Sequence, residues 1–96
     1  MDRIRYLRAA TRDLVWYRTY YEDVFPEGQA QAYYHYLKSL RLIQSYPEMG
    51  KPAGRKPRRR FSIPRTPFVI VYQFRNSVLE IVRVWDTRNN DEPKWT

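Results

Sequence analysis

The chain has 96 residues, a formal net charge of +8, no cysteine and one histidine, with 43% hydrophobic and 17% aromatic residues. That length holds one domain, over residues 1–96, and that apolar content excludes a disordered chain. Without cysteine there is no disulfide or thiolate metal site, and one histidine makes no histidine-based one, so no metal or other cofactor is expected. At the start of the chain Ile4 and Tyr6 alternate with polar neighbours at period two, the pattern of a short strand. Thr11 then reads as an N-cap, with Arg12, Asp13 and Leu14 in the first turn of a helix. Leu14, Tyr17, Tyr21 and Val24 recur at helical spacing, with Trp16 and Tyr20 flanking them, until Pro26 ends the helix.

Glu27 and Gly28 make a short connection, so the second helix, over about 29–46, runs antiparallel to the first. Ala30, Tyr33, Leu37, Leu40 and Gln44 trace its stripe, widened by Tyr34, Ile43 and Tyr46. Residues 47–54 form a loop rich in helix breakers. Three strands follow, over 58–63, 68–74 and 78–85. Pro64 and Pro67 bracket a turn before the second, and Asn76-Ser77 is a compact hairpin turn between the last two. The polar tail 87–96 is expected to fray. The order β-α-α-β-β-β is an α+β fold, with an antiparallel sheet packed against an N-terminal helical hairpin.

The charge is local. Between Met49 and Leu79 there is no acid, and Lys51, Arg55, Lys56, Arg58, Arg59, Arg60, Arg65 and Arg75 carry the whole excess. Such a cluster is either a solvated basic loop or a surface for an anionic partner, nucleic acid or an acidic protein segment. Uncharged runs such as 66–74 are too short for a membrane span, and Asp2, Arg3 and Arg5 do not open a signal peptide. A small cytoplasmic domain with no membrane partner is the expectation.

Most catalytic signatures are missing. There is no glycine-rich phosphate loop, nucleophile elbow or cysteine nucleophile. His35, in mid-helix among Tyr33, Tyr34 and Tyr36, reads as structural, and the acids of the second half are too sparse for metal-dependent nuclease work. What remains is arginine. Strand alternation puts Leu79, Ile81, Arg83 and Trp85 on one face, where Arg83 either pairs with an acid such as Asp13 or Glu48 or binds an anion with its planar fork. Arg58, Arg60 and Arg65 come within reach of the same side of a twisted sheet, and Trp85 either packs in the core or anchors a partner.

Four segments together resemble the RelE/ParE toxin superfamily: 9–14 as the first helix start, 46–52 as the helix-to-sheet connection, 63–72 as the lead into the central strand, and 80–88 as the last strand. The resemblance implies the toxin of a bacterial type II toxin–antitoxin system, a plasmid-stabilisation and growth-arrest module, held inactive by a cognate antitoxin. The antitoxin's acidic or amphipathic C-terminal segment is expected on the helical hairpin and the basic sheet edge. Tyr17, Tyr21, Tyr34, Leu37, Arg59, Trp85 and Arg88 are the candidate residues for binding antitoxin or target. RelE-like members cleave mRNA on the ribosome, and a ribonuclease here would rely on Arg58, Arg60, Arg65 and Arg83. ParE-like members inhibit DNA gyrase. Asp86 stands where many relatives have histidine, and no Tyr or His follows Tyr72, so the expected acid–base residue is missing and the ParE-like reading is favoured. A non-toxic binding module derived from the same fold is the third alternative.

Overall fold

The computed structural model describes residues 3–88. Strand β1 (Arg3–Tyr6) leads into helix α1 (Arg8–Thr19), which continues as a π-helical segment (Tyr20–Val24) and a 3-10 turn (Pro26–Gly28) before helix α2 (Gln29–Ser45). Strands β2 (Lys51–Pro52), β3 (Arg59–Ser62), β4 (Phe68–Arg75) and β5 (Val78–Asp86) follow among the described residues. They form one five-stranded sheet in the order β1-β5-β4-β3-β2. The α+β class holds, but the sheet is mixed: β1 pairs parallel with the first half of β5, while the other pairs are antiparallel. The short strand β2, inside the expected loop, is an addition to the three C-terminal strands read from the sequence.

The central strand shows why the sheet has two buried sides. Phe68, Ile70 and Tyr72 point into the main core with the helices, and Val69 and Val71 into a smaller cluster on the other face with Ala53 and Val82. Strands buried on both faces read as continuous apolar runs, as 68–72 does. The helix side is built of rings: Tyr17, Tyr20 and Tyr21 surround Phe68 at centroid distances of 4.7, 5.9 and 6.2 Å. Tyr17 and Tyr20 meet Phe68 edge to face and Tyr21 meets it tilted; edge-to-face pairs each add about 0.5–1.5 kcal/mol beyond the area they bury. The π-helical segment lets the neighbours Tyr20 and Tyr21 both reach Phe68, because its wider turn changes the angle between successive side chains. Asn76 and Ser77 both have positive φ (52° and 62°), as a tight turn matched to strand twist requires.

Four details depart from the sequence reading. Helix α1 starts at Arg8 with Leu7 at its cap; Thr11 lies inside the first turn and donates its hydroxyl to the Leu7 carbonyl. The buried stripe of α2 is Ala32, Tyr36, Ser39, Leu40 and Ile43, so Tyr33, Tyr34 and Tyr46 face outward. The pairing of β4 with β5 shifts between Val71 and Tyr72, making Val82 an extra residue. That bulge breaks the alternation: Leu79, Ile81 and Val84 enter the helix-side core, and Val82 and Trp85 the opposite cluster. The tail does not loosen at Thr87, whose N–H and hydroxyl both reach the Pro67 carbonyl (2.8 and 2.7 Å); residues 89–96 lie outside the described part.

Candidate functional site

Register builds the first surface. Arg60 lies opposite Val71 and Val71 opposite Arg83, so both arginines leave on the face away from the helices. Arg58 precedes Arg60 by two residues and donates from Nε to Gln73 Oε1 (3.4 Å). Gln73 in turn donates to Glu80 Oε1 (2.7 Å), and the second Glu80 oxygen lies 3.7 Å from Arg5 Nη1. The row Arg5–Glu80–Gln73–Arg58 thus crosses the sheet and keeps a buried carboxylate partnered, as burial of a charge demands. Arg65 is separate, exposed in the turn between β3 and β4 with φ 62°.

Arg83 is the centre of this face. Its Nε and Nη2 donate to the two oxygens of Asp13 (2.6 and 3.0 Å), and its guanidinium stacks 4.9 Å from the Trp85 ring. Asp13 also accepts the Val84 N–H (2.9 Å). Beside β5, β1 ends at Tyr6, opposite Ile81, and Leu7 N–H still reaches the Ile81 carbonyl; Asp13 then takes the next free donor of that edge. A fork-to-fork pair of this kind holds the planar guanidinium in one orientation. Arg58, Arg60, Ser62, Gln73, Glu80, Arg83 and Trp85 on this face include no histidine or tyrosine, and Glu80 accepts from Gln73 and forms an ion pair with Arg5.

The second surface is a groove of about 510 Å³ between α1 and α2, lined by Leu14, Tyr17, Arg18, Tyr21, Ala30, Tyr33 and Tyr36, among others. Its floor is apolar because the tyrosine hydroxyls point away into bonds: Tyr17 donates to the Ala32 carbonyl (3.0 Å), and the Tyr36 and Tyr6 hydroxyls share a 2.7 Å bond. Burial pushes the Tyr17 and Tyr36 hydroxyls well above the ordinary tyrosine range, so both stay protonated. Tyr33 is 63% exposed at the rim and Tyr34 57% exposed on the outer side of α2, while Leu37 is half-buried against the core.

A third surface, of about 400 Å³, lies between the α2-to-β2 connection and β3, with Pro47, Glu48, Pro52, Lys56, Pro57, Arg58, Arg59 and Phe74 in its walls. Tyr72, which sequence reading placed only in a strand, organises it: its hydroxyl donates to the Pro47 carbonyl (2.6 Å) and accepts the Gly50 N–H (3.0 Å). Burial raises the Tyr72 pKa, against the opposing pull of the Gly50 N–H and the Arg59 charge. Arg59 Nη1 donates to the Gly50 carbonyl at 2.8 Å. The signal available in the sequence was Gly50, where a Cβ would lie 2.7 Å from both the Tyr72 hydroxyl and the Arg60 carbonyl.

At the end of β5, Asp86 accepts from Arg88 Nε (3.0 Å), Nη2 (2.8 Å) and backbone N–H (2.9 Å), and Arg88 Nη1 donates to the Tyr20 hydroxyl at 2.9 Å. Those bonds from Arg88 hold the Asp86 carboxyl below its usual range. Arg88 therefore ties the last strand to the π-helical segment, a role its place in the polar tail did not suggest. Among the described residues no group of three His, Asp or Glu side chains is placed to hold a metal ion, and no helix is long and apolar enough to cross a membrane.

The model of the ParE toxin of the type II toxin–antitoxin system parDE matches residues 4–91. The fold is similar to a chain of the chromosomal ParDE toxin–antitoxin system from P. aeruginosa, with a TM-score of 0.63 and 24% identity, covering 88% of this chain and 94% of that one. No curated protein matches it.

Proposed function

The chain belongs to the ParE toxin family of type II toxin–antitoxin systems, and on that premise we propose that it works by binding rather than by turnover: it inhibits DNA gyrase in the cytoplasm and is neutralised by a cognate antitoxin. The observation that carries this reading is the state of Arg83. The arginine that a ribonuclease would turn toward the scissile phosphate is held on both oxygens of Asp13, and its neighbours Arg58, Arg60, Gln73, Glu80 and Trp85 include no histidine or tyrosine. The apolar groove between α1 and α2 suits the amphipathic segment of an antitoxin, with the Tyr17 and Tyr21 rings as its wall and Tyr33 at its rim. Trp85, Arg59 and Arg88 are each engaged inside the fold and act on partners by holding the surface in shape. Purified protein is expected to block supercoiling by gyrase and to leave translated mRNA intact; unimpaired supercoiling at excess protein overturns the proposal.

One observation favours a second reading, a RelE-like endoribonuclease acting on mRNA at the ribosome: the register gathers Arg58, Arg60 and Arg83 on one face. It predicts discrete cuts by primer extension after induction, lost in Arg83→Ala. Growth arrest with uncut message removes it. Normal growth on expression without antitoxin would instead point to a non-toxic binding module.

A further inference from the structure

The groove beside the α2-to-β2 connection combines apolar walls (Pro47, Pro52, Pro57 and Phe74) with three cations, Lys56, Arg58 and Arg59, against one acid, Glu48, so its rim is net positive. Lys56 is exposed and bonded to no acid among the described residues. Such a groove fits an apolar side chain flanked by carboxylates, since the walls take the side chain and the rim takes the charges. The chain carries a segment of that chemistry on its own surface. Residues 22–27 read Glu-Asp-Val-Phe-Pro-Glu and are six consecutive exposed positions. Val24 is 62% and Phe25 46% exposed, an apolar pair rimmed by Glu22, Asp23 and Glu27, while the covered part of the Phe25 ring lies over Gly28 and beside Tyr21. Glu22 has only an exposed pair with Arg18 (3.4 Å), whereas Asp13, Glu80 and Asp86 are all bonded within the fold.

The turn and the groove are at opposite ends of α2, whose 17 residues span about 25 Å at helical rise. One molecule therefore does not fill its own groove with its own turn. We propose that the occupant is a second copy of this chain: the turn 22–27 of one molecule enters the groove of another, Phe25 lying among the prolines and Phe74, with Asp23 and Glu27 opposite Lys56 and Arg58. The juxtaposition is selective, because the +8 net charge repels copies in every orientation and this one offsets the repulsion locally by setting acids against cations.

Sedimentation equilibrium of the full chain tests this at 0.15 M salt, where a Debye length of about 8 Å screens long-range repulsion and leaves close pairs intact. The mass is expected to rise with concentration. Lys56→Glu alone, and Asp23→Lys with Glu27→Lys, should each weaken association by about tenfold or more, and mixing the two variants should restore it as a mixed pair. Phe25→Ala, which alters no charge, should weaken it as well. A monomer across the whole concentration range overturns the proposal whatever the variants do, and so does association that is unchanged in all three variants or not restored by the mixture. Circular dichroism confirms that each variant is folded. Gyrase supercoiling is a separate readout, so this proposal and the functional one fail independently.

Discussion

Asp13 and Arg83 stand 70 residues apart and meet through two hydrogen bonds of 2.6 and 3.0 Å at the edge of the sheet. Both side chains are mostly buried, with 13% and 23% of their surface exposed. Removing one partner strands the other, so Asp13→Ala should lower unfolding stability by about 2–3 kcal/mol in a urea titration. The double variant Asp13→Ala, Arg83→Ala should lose clearly less than the two single losses added together. Strict additivity would show that the pair does not act as a unit.

Gly50 sets a second expectation. A methyl group there meets the Arg60 carbonyl, which cannot swing aside, as well as the Tyr72 hydroxyl. Gly50→Ala should cost about 1–3 kcal/mol. Adding Tyr72→Phe should not recover it, because the carbonyl clash persists and the bonds to Pro47 and Gly50 are lost. Thermal unfolding of the single and double variants checks this.

Asp86 gives a pH prediction with a definite sign. Its folded pKa is depressed, chiefly by the Arg88 hydrogen bonds, so the unfolded state holds the proton more tightly. The associated stability is present above the unfolded carboxyl pKa of about 3.9 and is lost as pH falls through the folded value. Between pH 5 and pH 2, as an order-of-magnitude window, Asp86→Asn should show a shallower fall in stability than the parent. An identical fall in both would mean that the Arg88 clamp does not form in solution.

The hairpin groove can be filled without touching the core. Ala30 is exposed and lines it. Ala30→Trp should leave stability within about 0.5 kcal/mol and weaken antitoxin binding by about tenfold or more. Titration calorimetry with the antitoxin segment reads this directly, and undiminished affinity would place the antitoxin elsewhere.

The sequence disclosed most of the elements and little of their rotation. The density of β-branched and aromatic residues at 68–74, the breakers at 47–54 and the Asn76-Ser77 turn act locally, and each appears where local chemistry put it. Tyrosine misled the reading of α2. It is apolar enough to mark a stripe yet tolerates exposure, so Tyr33 and Tyr34 were counted inward while Ser39, with its hydroxyl on the His35 carbonyl (2.7 Å), took the buried position. The start of α1 was missed because it is fixed by a strand: Leu7 is tied to Ile81, and the helix begins there rather than at the better capping residue Thr11. Arg83 was singled out correctly as needing a partner or a cleft, and Asp13 was one of two acids considered. The bulge at Val82, which puts Trp85 in the cluster opposite Leu79 and Ile81, depends on pairing between two strands and has no mark in either alone.

The parallel strand at the sheet edge also determines when the molecule becomes whole during synthesis. Of the described strands, β1 comes first in the chain, and its partner in the sheet is β5, the last of them. Antiparallel hairpins such as β4–β5 close as soon as their second strand emerges, but β1 must wait until β5 has been made. The anchor of α1 on Arg83 waits with it. A nascent chain that stops short of β5 therefore has neither the β1–β5 pairing nor the Asp13–Arg83 pair.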